Sequence, residues 1–146
     1  MDRPAVTLEQ INDFFISHVP FCTEMNIRCD HLDNDIAVAR FTYDDRWTRP
    51  GSMVAGPVLM ALADVAVYGA IFTRTGITPL AVTNELKMNF LRPAIGRDVL
   101  ARARLLKVGR RIAYAAVDVF EEHDEARLIA HATASYVLPD GTGLGR

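Results

Sequence analysis

Cysteine is scarce in this chain: Cys22 and Cys29 are the only two in 146 residues. Two thiols without a secretory signal are no disulfide framework, so the stapled architecture of a small secreted domain is excluded. Excess charge of one sign is also missing. Sixteen Lys and Arg stand against 18 Asp and Glu, for a net charge of −2, which leaves no electrostatic footprint for nucleic acid. The opening residues, MDRPAVTLEQ, lack the basic n-region and apolar h-region of a signal peptide, and a cytoplasmic location with reduced thiols is expected. Repeats and low-complexity stretches are absent. His18, Cys22, Cys29 and His31 lie close in sequence, but their H-x3-C-x6-C-x-H spacing contains no C-x2-4-C pair of the zinc type. Neither a metal nor a redox cofactor is expected.

What remains is an ordinary globular composition, 50% apolar and 23% charged, in a length that suits one domain burying roughly two-thirds of its unfolded surface. Thr7 and Gln10 form a capping box, and Leu8, Ile11, Phe14 and Phe15 follow at helical spacing until Val19-Pro20, so a short amphipathic helix opens the chain. Residues 25–43 read as two strands with Asp33-Asn34-Asp35 as their turn. Residues 44–52, DDRWTRPGS, are a polar loop. Four strand-like runs lie further on: Leu80–Leu91, Asp98–Val108, Ile112–Glu121 and Leu128–Leu138, with Gly109-Arg110-Arg111 as a tight hairpin. In the first, alternation places Val82, Leu86, Met88 and Phe90 on an apolar face and Thr83, Glu85, Lys87 and Asn89 on a polar one, with Asn84 intruding among the apolar residues. Ala130, Ala132, Ala134 and Tyr136 oppose His131, Thr133 and Ser135 in the last.

Between loop and strands runs MVAGPVLMALADVAVYGAIF, Met53–Phe72, apolar except for Asp64. It is the one stretch long enough to suggest a membrane span. Its central Asp, its Gly-Pro start and its alanines argue against one, so the stretch reads as a helix ending near Thr75-Gly76. A helix apolar on nearly all sides must be covered nearly completely. The expectation is an α+β domain over residues 1–138, with a helical segment at 1–24, in which a curled antiparallel sheet of five to six strands wraps a long buried central helix. Residues 139–146, rich in glycine, are expected to be a flexible tail.

An ionised carboxylate buried without a partner costs several kcal/mol, so Asp64 is either a structural acid capped by a neighbour or a group with a chemical task. The first turn of its helix offers open N–H groups and the positive end of the dipole. Gly56 permits close approach to that backbone, and its N–H is suited to an oxyanion, with Asp64 as general base or nucleophile. Eight residues separate the two, about 12 Å along the axis, whereas one carbonyl needs both groups at about 3 Å. Two helices antiparallel about a two-fold axis close the gap, which predicts a symmetric dimer with shared sites if the residues form a site.

Gly56-Pro57-Val58-Leu59-Met60-Ala61-Leu62-Ala63-Asp64-Val65-Ala66, followed by Glu85-Leu86-Lys87-Met88-Asn89-Phe90-Leu91-Arg92-Pro93-Ala94, resembles the hotdog-fold acyl-CoA thioesterases, most closely the phenylacetic-acid-degradation (PaaI-type) branch. Lys107-Val108-Gly109-Arg110-Arg111 and Ala130-His131-Ala132-Thr133-Ala134-Ser135-Tyr136 fit the same pattern. The resemblance implies a helix wrapped by an antiparallel sheet, and homodimers that pair into tetramers. It implies Asp64 as catalytic acid, Gly56 as the residue holding the thioester carbonyl, and Thr83 as the hydroxyl orienting water or acid. It also places Arg92, Arg110 and Arg111 near the phosphates of coenzyme A. The chain departs from the family at the helix start, where His-Gly-Gly is replaced by Ala55-Gly56-Pro57, and upstream, where Arg49-Pro50-Gly51 stands for the usual Asn or Gln. Either Thr83, Asn84 or Arg49 rebuilds the site or catalysis is weak.

The function implied is hydrolysis of an acyl-CoA to a free acid and coenzyme A, the latter entering only as part of the substrate. Met60, Val67, Tyr68 and the residues around Trp47 would set the depth of the acyl pocket. The alternatives are a non-catalytic acyl-CoA binder or sensor, and a hotdog hydratase or dehydratase, which would want an Asp-His pair.

Overall fold

The structure is a computed structural model that describes residues 3–142. Helix α1 (Leu8–His18) begins with its capping box formed: the Gln10 N–H donates to Thr7 Oγ1 at 3.1 Å, and the Thr7 N–H to Gln10 Oε1 at 2.9 Å. Val19 ends it. Pro20, whose missing N–H has no helical partner in a first turn, then opens a second short helix, α2 (Pro20–Glu24), beyond the point where the helical spacing of apolar residues stops. Strands β1 (Ile27–Asp33) and β2 (Ile36–Phe41) form the expected hairpin.

The loop that follows has more order than its composition suggests. A 3-10 turn spans Asp45–Trp47, and β3 (Thr48–Arg49) folds back on β4 (Met53–Val54). The long helix α3 therefore runs from Gly56 to Thr75, starting three residues later than the apolar run. Gly76 closes it with φ +77°, a backbone state that a side chain would strain. Strands β5 (Val82–Phe90), β6 (Val99–Val108), β7 (Ile112–Glu121) and β8 (Leu128–Val137) complete the chain.

Six strands form one antiparallel sheet in the order β1-β2-β6-β7-β8-β5, so β1 and β5 are its edges. Its inner face is lined with small residues, Ala101, Ala103, Ala113, Ala115, Ala130, Ala132 and Ala134, all buried. These let α3 lie close. At Gly69 a Cβ would stand 3.3 Å from Ala37 Cβ and 3.4 Å from Ile11 Cδ1. α3 is long and apolar enough to cross a membrane by length and composition, but 67% of its most apolar stretch is buried inside the molecule; it is the core on which the sheet closes. α1 packs on the same helix, with Phe14 edge-on to Phe72 at 5.5 Å and Phe15 stacked on Tyr68 at 6.2 Å. The α+β arrangement read from the sequence, a long buried helix wrapped by a curled antiparallel sheet, is the one found.

One local pairing differs from the simple alternation. Across β5 and β8, Thr83 faces Tyr136 but Glu85 faces Ser135, so Asn84 is an extra residue in a β-bulge. A bulge shifts the pleat by one residue. Thr83 therefore joins Leu86, Met88 and Phe90 on the helix side, while Val82 faces outward with Val137. On the outer face, Val38, Leu100 and Phe120 form a small separate apolar cluster. Leu138 is tied down through its N–H to Arg111 O at 2.7 Å. Residues 143–146 of the expected flexible tail lie outside the described residues.

Candidate active site

Asp64 sits two turns into α3 and projects toward the β5–β8 edge. Its Oδ1 accepts from Thr83 Oγ1 at 2.8 Å and from the Tyr136 hydroxyl at 2.6 Å. The same hydroxyl lies 3.0 Å from the Asp64 main-chain oxygen. Oδ2 has no partner among the described residues. Burial, then the nearby Asp64 charge and hydrogen bond, push the Tyr136 phenol well above the usual tyrosine range, so it stays a protonated donor at any working pH.

Around this carboxylate lies a cavity of about 220 Å³. Val65 and Tyr68 of α3, Ala81, Val82 and Thr83 of the β5 entry, and Tyr136 of β8 line it, and Val19 and Phe21 from the N-terminal segment complete the wall. Tyr68 donates its hydroxyl to Pro79 O at 2.7 Å and stacks on Tyr136 at 6.0 Å and 23°. Burial raises its phenol as well. The cavity thus combines one acid with mostly apolar and aromatic walls, the usual make-up of a small-molecule site.

A second cavity, of about 370 Å³, surrounds the start of α3 and shares no residue with the first. Arg49, Met53, Val54, Gly56, Leu59, Phe90, Leu91, Arg92, Pro93 and Ala94 line it. The first-turn N–H groups of Val58 and Leu59 turn back to Ala55 O at 2.9 and 3.3 Å, and Pro57 has none. The Gly56 N–H finds no acceptor among the described residues, so it is an open donor at the positive end of the helix dipole. Arg92 donates to Leu128 O at 2.7 Å from one Nη, keeping its other nitrogens for the cavity.

The residues singled out in the sequence therefore fall into separate groups. Asp64, Thr83 and Tyr68 meet in the smaller cavity; Gly56, Arg49 and Arg92 meet in the larger. Asn84 meets neither, because the bulge turns its amide to Ser135 Oγ at 2.9 Å. Arg110 and Arg111 are exposed at the β6–β7 hairpin, at the end of the sheet that carries Val82 and Val137. Trp47 donates its indole N–H to Glu24 O at 3.0 Å and packs against the core, lining neither cavity. His18 rests on Phe14, and Cys22 and Cys29 are buried and free. Among the described residues no group of three or more His, Cys, Asp or Glu is placed to hold a metal ion.

Among the wall residues that escaped the sequence reading are Tyr136, Val19 and Phe21. The first had a signal, since it is the one inward position of β8 with a polar atom after Ala130, Ala132 and Ala134. The other two had none, because their approach to α3 is a tertiary contact.

A family model described as the thioesterase superfamily matches residues 51–127, a span that includes Gly56, Asp64 and Thr83. A crystal structure from Silicibacter sp. TM1040, described as that of a thioesterase, has a TM-score of 0.84 at 32% identity, covering 93% of this chain and 94% of that one. A mutant form of the phenylacetic acid degradation protein PaaI from Thermus thermophilus has a TM-score of 0.71 at 29% identity, covering 82% of this chain and 99% of its own. The medium/long-chain acyl-CoA thioesterase YigI of Escherichia coli is 25% identical over 150 residues, 90% of this chain and 93% of that protein. With the long helix, the six-stranded wrap and these similarities together, the chain belongs to the thioesterase superfamily and has its hotdog fold.

Proposed function

We propose that the protein hydrolyses an acyl-CoA to a free acid and coenzyme A, at two equivalent sites shared across a symmetric dimer. The observation that carries this reading is the division of the machinery within one chain. An acid with a free oxygen lies in one cavity, and an open helix N–H lies in another, about 12 Å further along the helix axis. Neither half serves a thioester alone. The β5 edge supports the pairing: its backbone lacks a neighbour on one side, and Val82, Phe90 and Leu91 are each more than half exposed along it. Such an edge is a natural surface for a second copy.

In this arrangement the thioester oxygen lies on the Gly56 N–H of one protomer, which stabilises the oxyanion. Asp64 of the partner subunit takes a proton from water as its oxygen adds to the carbonyl carbon. The tetrahedral intermediate then collapses, the C–S bond breaks, and the thiolate leaves with the proton. Direct attack by Asp64, giving an anhydride that water opens, uses the same atoms. Thr83 orients the acid. Arg49 and Arg92 beside Gly56 suit the coenzyme A phosphates, and the two-fold axis that joins the half-sites brings Arg110 and Arg111 of the opposite protomer to the same end. Pairing of dimers into a tetramer, membership of the PaaI-type branch and a cytoplasmic location belong to the same reading. The 29% identity to PaaI and the name of the Escherichia coli relative support the branch and the substrate class respectively.

A hydratase or dehydratase is disfavoured by a specific contact. The chain does contain an Asp–His pair, with His131 Nδ1 2.8 Å from Asp118 Oδ1, but both residues lie on the outer face of the sheet, away from Asp64. The test is turnover of a panel of acyl-CoAs with released thiol as the readout. Wild type is expected to release thiol, and Asp64→Asn to be at least roughly a hundredfold slower. Equal rates would remove Asp64 from the chemistry. Tight binding of coenzyme A without thiol release would make the protein a sensor, and hydration of a crotonyl thioester would restore the hydratase.

A further inference from the structure

We infer that Tyr136 is a positioning residue for the hydrolysis: with Thr83 it clamps Oδ1 of Asp64 and leaves Oδ2 as the oxygen that works on the substrate. This rests on the thioesterase reading above. A carboxylate has two oxygens and about four acceptor directions. Here both donors converge on one oxygen, Thr83 at 2.8 Å and Tyr136 at 2.6 Å, the latter in the range of a charge-assisted O–H···O⁻ bond. The phenol oxygen also lies 3.0 Å from the main-chain oxygen of Asp64, and its single proton goes to the shorter bond with Oδ1. With both donors on Oδ1, its partner-free twin on the same carboxylate remains to meet water or the thioester carbon.

The clamp is built from a single cross-strand pair. Thr83 and Tyr136 are register neighbours of β5 and β8, and they share the inner face only because Asn84 is bulged. Without the bulge the Thr83 hydroxyl would point outward and Tyr136 would hold the acid alone. The Tyr136 ring is itself fixed, buried and stacked on Tyr68, whose hydroxyl is anchored to Pro79 O. The phenol stays protonated for the reasons given above, so the donor does not vanish as the solution becomes alkaline. A working carboxylate held by residues that are themselves locked is the preorganisation that catalysis requires.

Tyr136→Phe keeps the ring and removes only the oxygen. In the full-length protein, with acyl-CoA as substrate, kcat is expected to fall at least about tenfold while KM stays within about twofold, the signature of an interaction that matters in the transition state. Thr83→Val, at an exposed position where folding is not at risk, is expected to do the same. A crystal structure of Tyr136→Phe is expected to show the Asp64 carboxylate turned or split between rotamers. Wild-type kcat in both variants, or a change confined to KM, overturns the proposal, as does an unmoved carboxylate in a Tyr136→Phe protein of full activity. Asp64→Asn assayed in parallel separates the two levels. If it is inactive while Tyr136→Phe and Thr83→Val keep wild-type kcat, the clamp is refuted and the thioesterase reading stands. If it retains wild-type activity, the clamp falls together with the role of Asp64, whereas the thioesterase reading itself falls only if the wild type releases no thiol.

Discussion

Replacing Gly56 with proline removes one N–H and disturbs little else. Ala55, which would precede the new ring, has φ −63° and ψ 140°, the extended state that a residue before proline adopts. Gly56 is the first helical residue, where proline is favoured, and its N–H has no internal acceptor to lose. A Cβ there would meet the Phe90 ring at 3.6 and 3.7 Å, ordinary contact distances. Stability should therefore hold while the oxyanion donor disappears, a loss of about 10²–10³ in kcat, or about 3–4 kcal/mol. Asp64→Asn, lesioned in the other half, is expected to lose at least roughly a hundredfold. Each variant alone retains about 1% activity or less. In a randomly assorted mixture of the two chains, a shared site is intact when its glycine comes from one variant and its acid from the other, in about a quarter of cases for a two-fold assembly. Coexpression, or subunit exchange followed by a thiol-release assay, should thus return about a quarter of wild-type activity from two nearly dead proteins. If site and chain coincide, every site carries one lesion and no activity returns. That result would refute the shared site, and near-wild-type turnover by Gly56→Pro alone would refute the role of its N–H.

Two further outcomes concern the scaffold. Arg40, with a side chain only 13% exposed, holds Asp30 at 3.1 Å and Asp98 and Glu122 at 2.9 Å each. Its pKa is pushed up chiefly by the hydrogen bond to Asp30. Arg40→Met leaves three carboxylates facing one another, and urea unfolding at neutral pH should show a loss of about 2–3 kcal/mol. That is below the full value for a buried pair, because the acids are partly solvated; a loss under about 0.5 kcal/mol would show that this cluster is not structural. Burial pushes the thiols of Cys22 and Cys29 up to about 12, so both stay protonated and unreactive at pH 7–8. Iodoacetamide labelling should follow urea unfolding, and rapid labelling of the native protein would contradict the packing.

The architecture was legible because it rests on periodicity. An apolar helix must be wrapped, alternating alanines let strands approach it, and the Thr7–Gln10 box and the Gly109-Arg110-Arg111 turn act through residues a few positions apart. Asp64 and Gly56 were legible for a related reason: a charge in an apolar helix and a glycine at its start are local anomalies. The rest depends on which distant segments meet. Alternation assigned Thr83 to the outer face, and only pairing with β8 shows that Asn84 is skipped and Thr83 turned inward. β3 and β4 are too short to leave a pattern, and α2 offers only a proline at its start. The place of Phe21 on the cavity wall depends on the path taken after Val19, which composition does not encode.

The N-terminal segment has a consequence for how such a protein diversifies. The residues matching the family model, 51–127, contain the lining of the Gly56 cavity except for Arg49, two positions before them, whereas Val19, Phe21 and Tyr136 of the Asp64 cavity lie farther out toward the two ends of the chain. In the proposed reading, the half that grips the group common to all thioesters is thus encoded in one contiguous block, residues 49–94. The half with the mostly apolar wall borrows from both ends of the chain. Substitutions near the termini can reshape that wall while the carbonyl-gripping block is inherited intact, which separates the evolution of what is recognised from the evolution of how it is held.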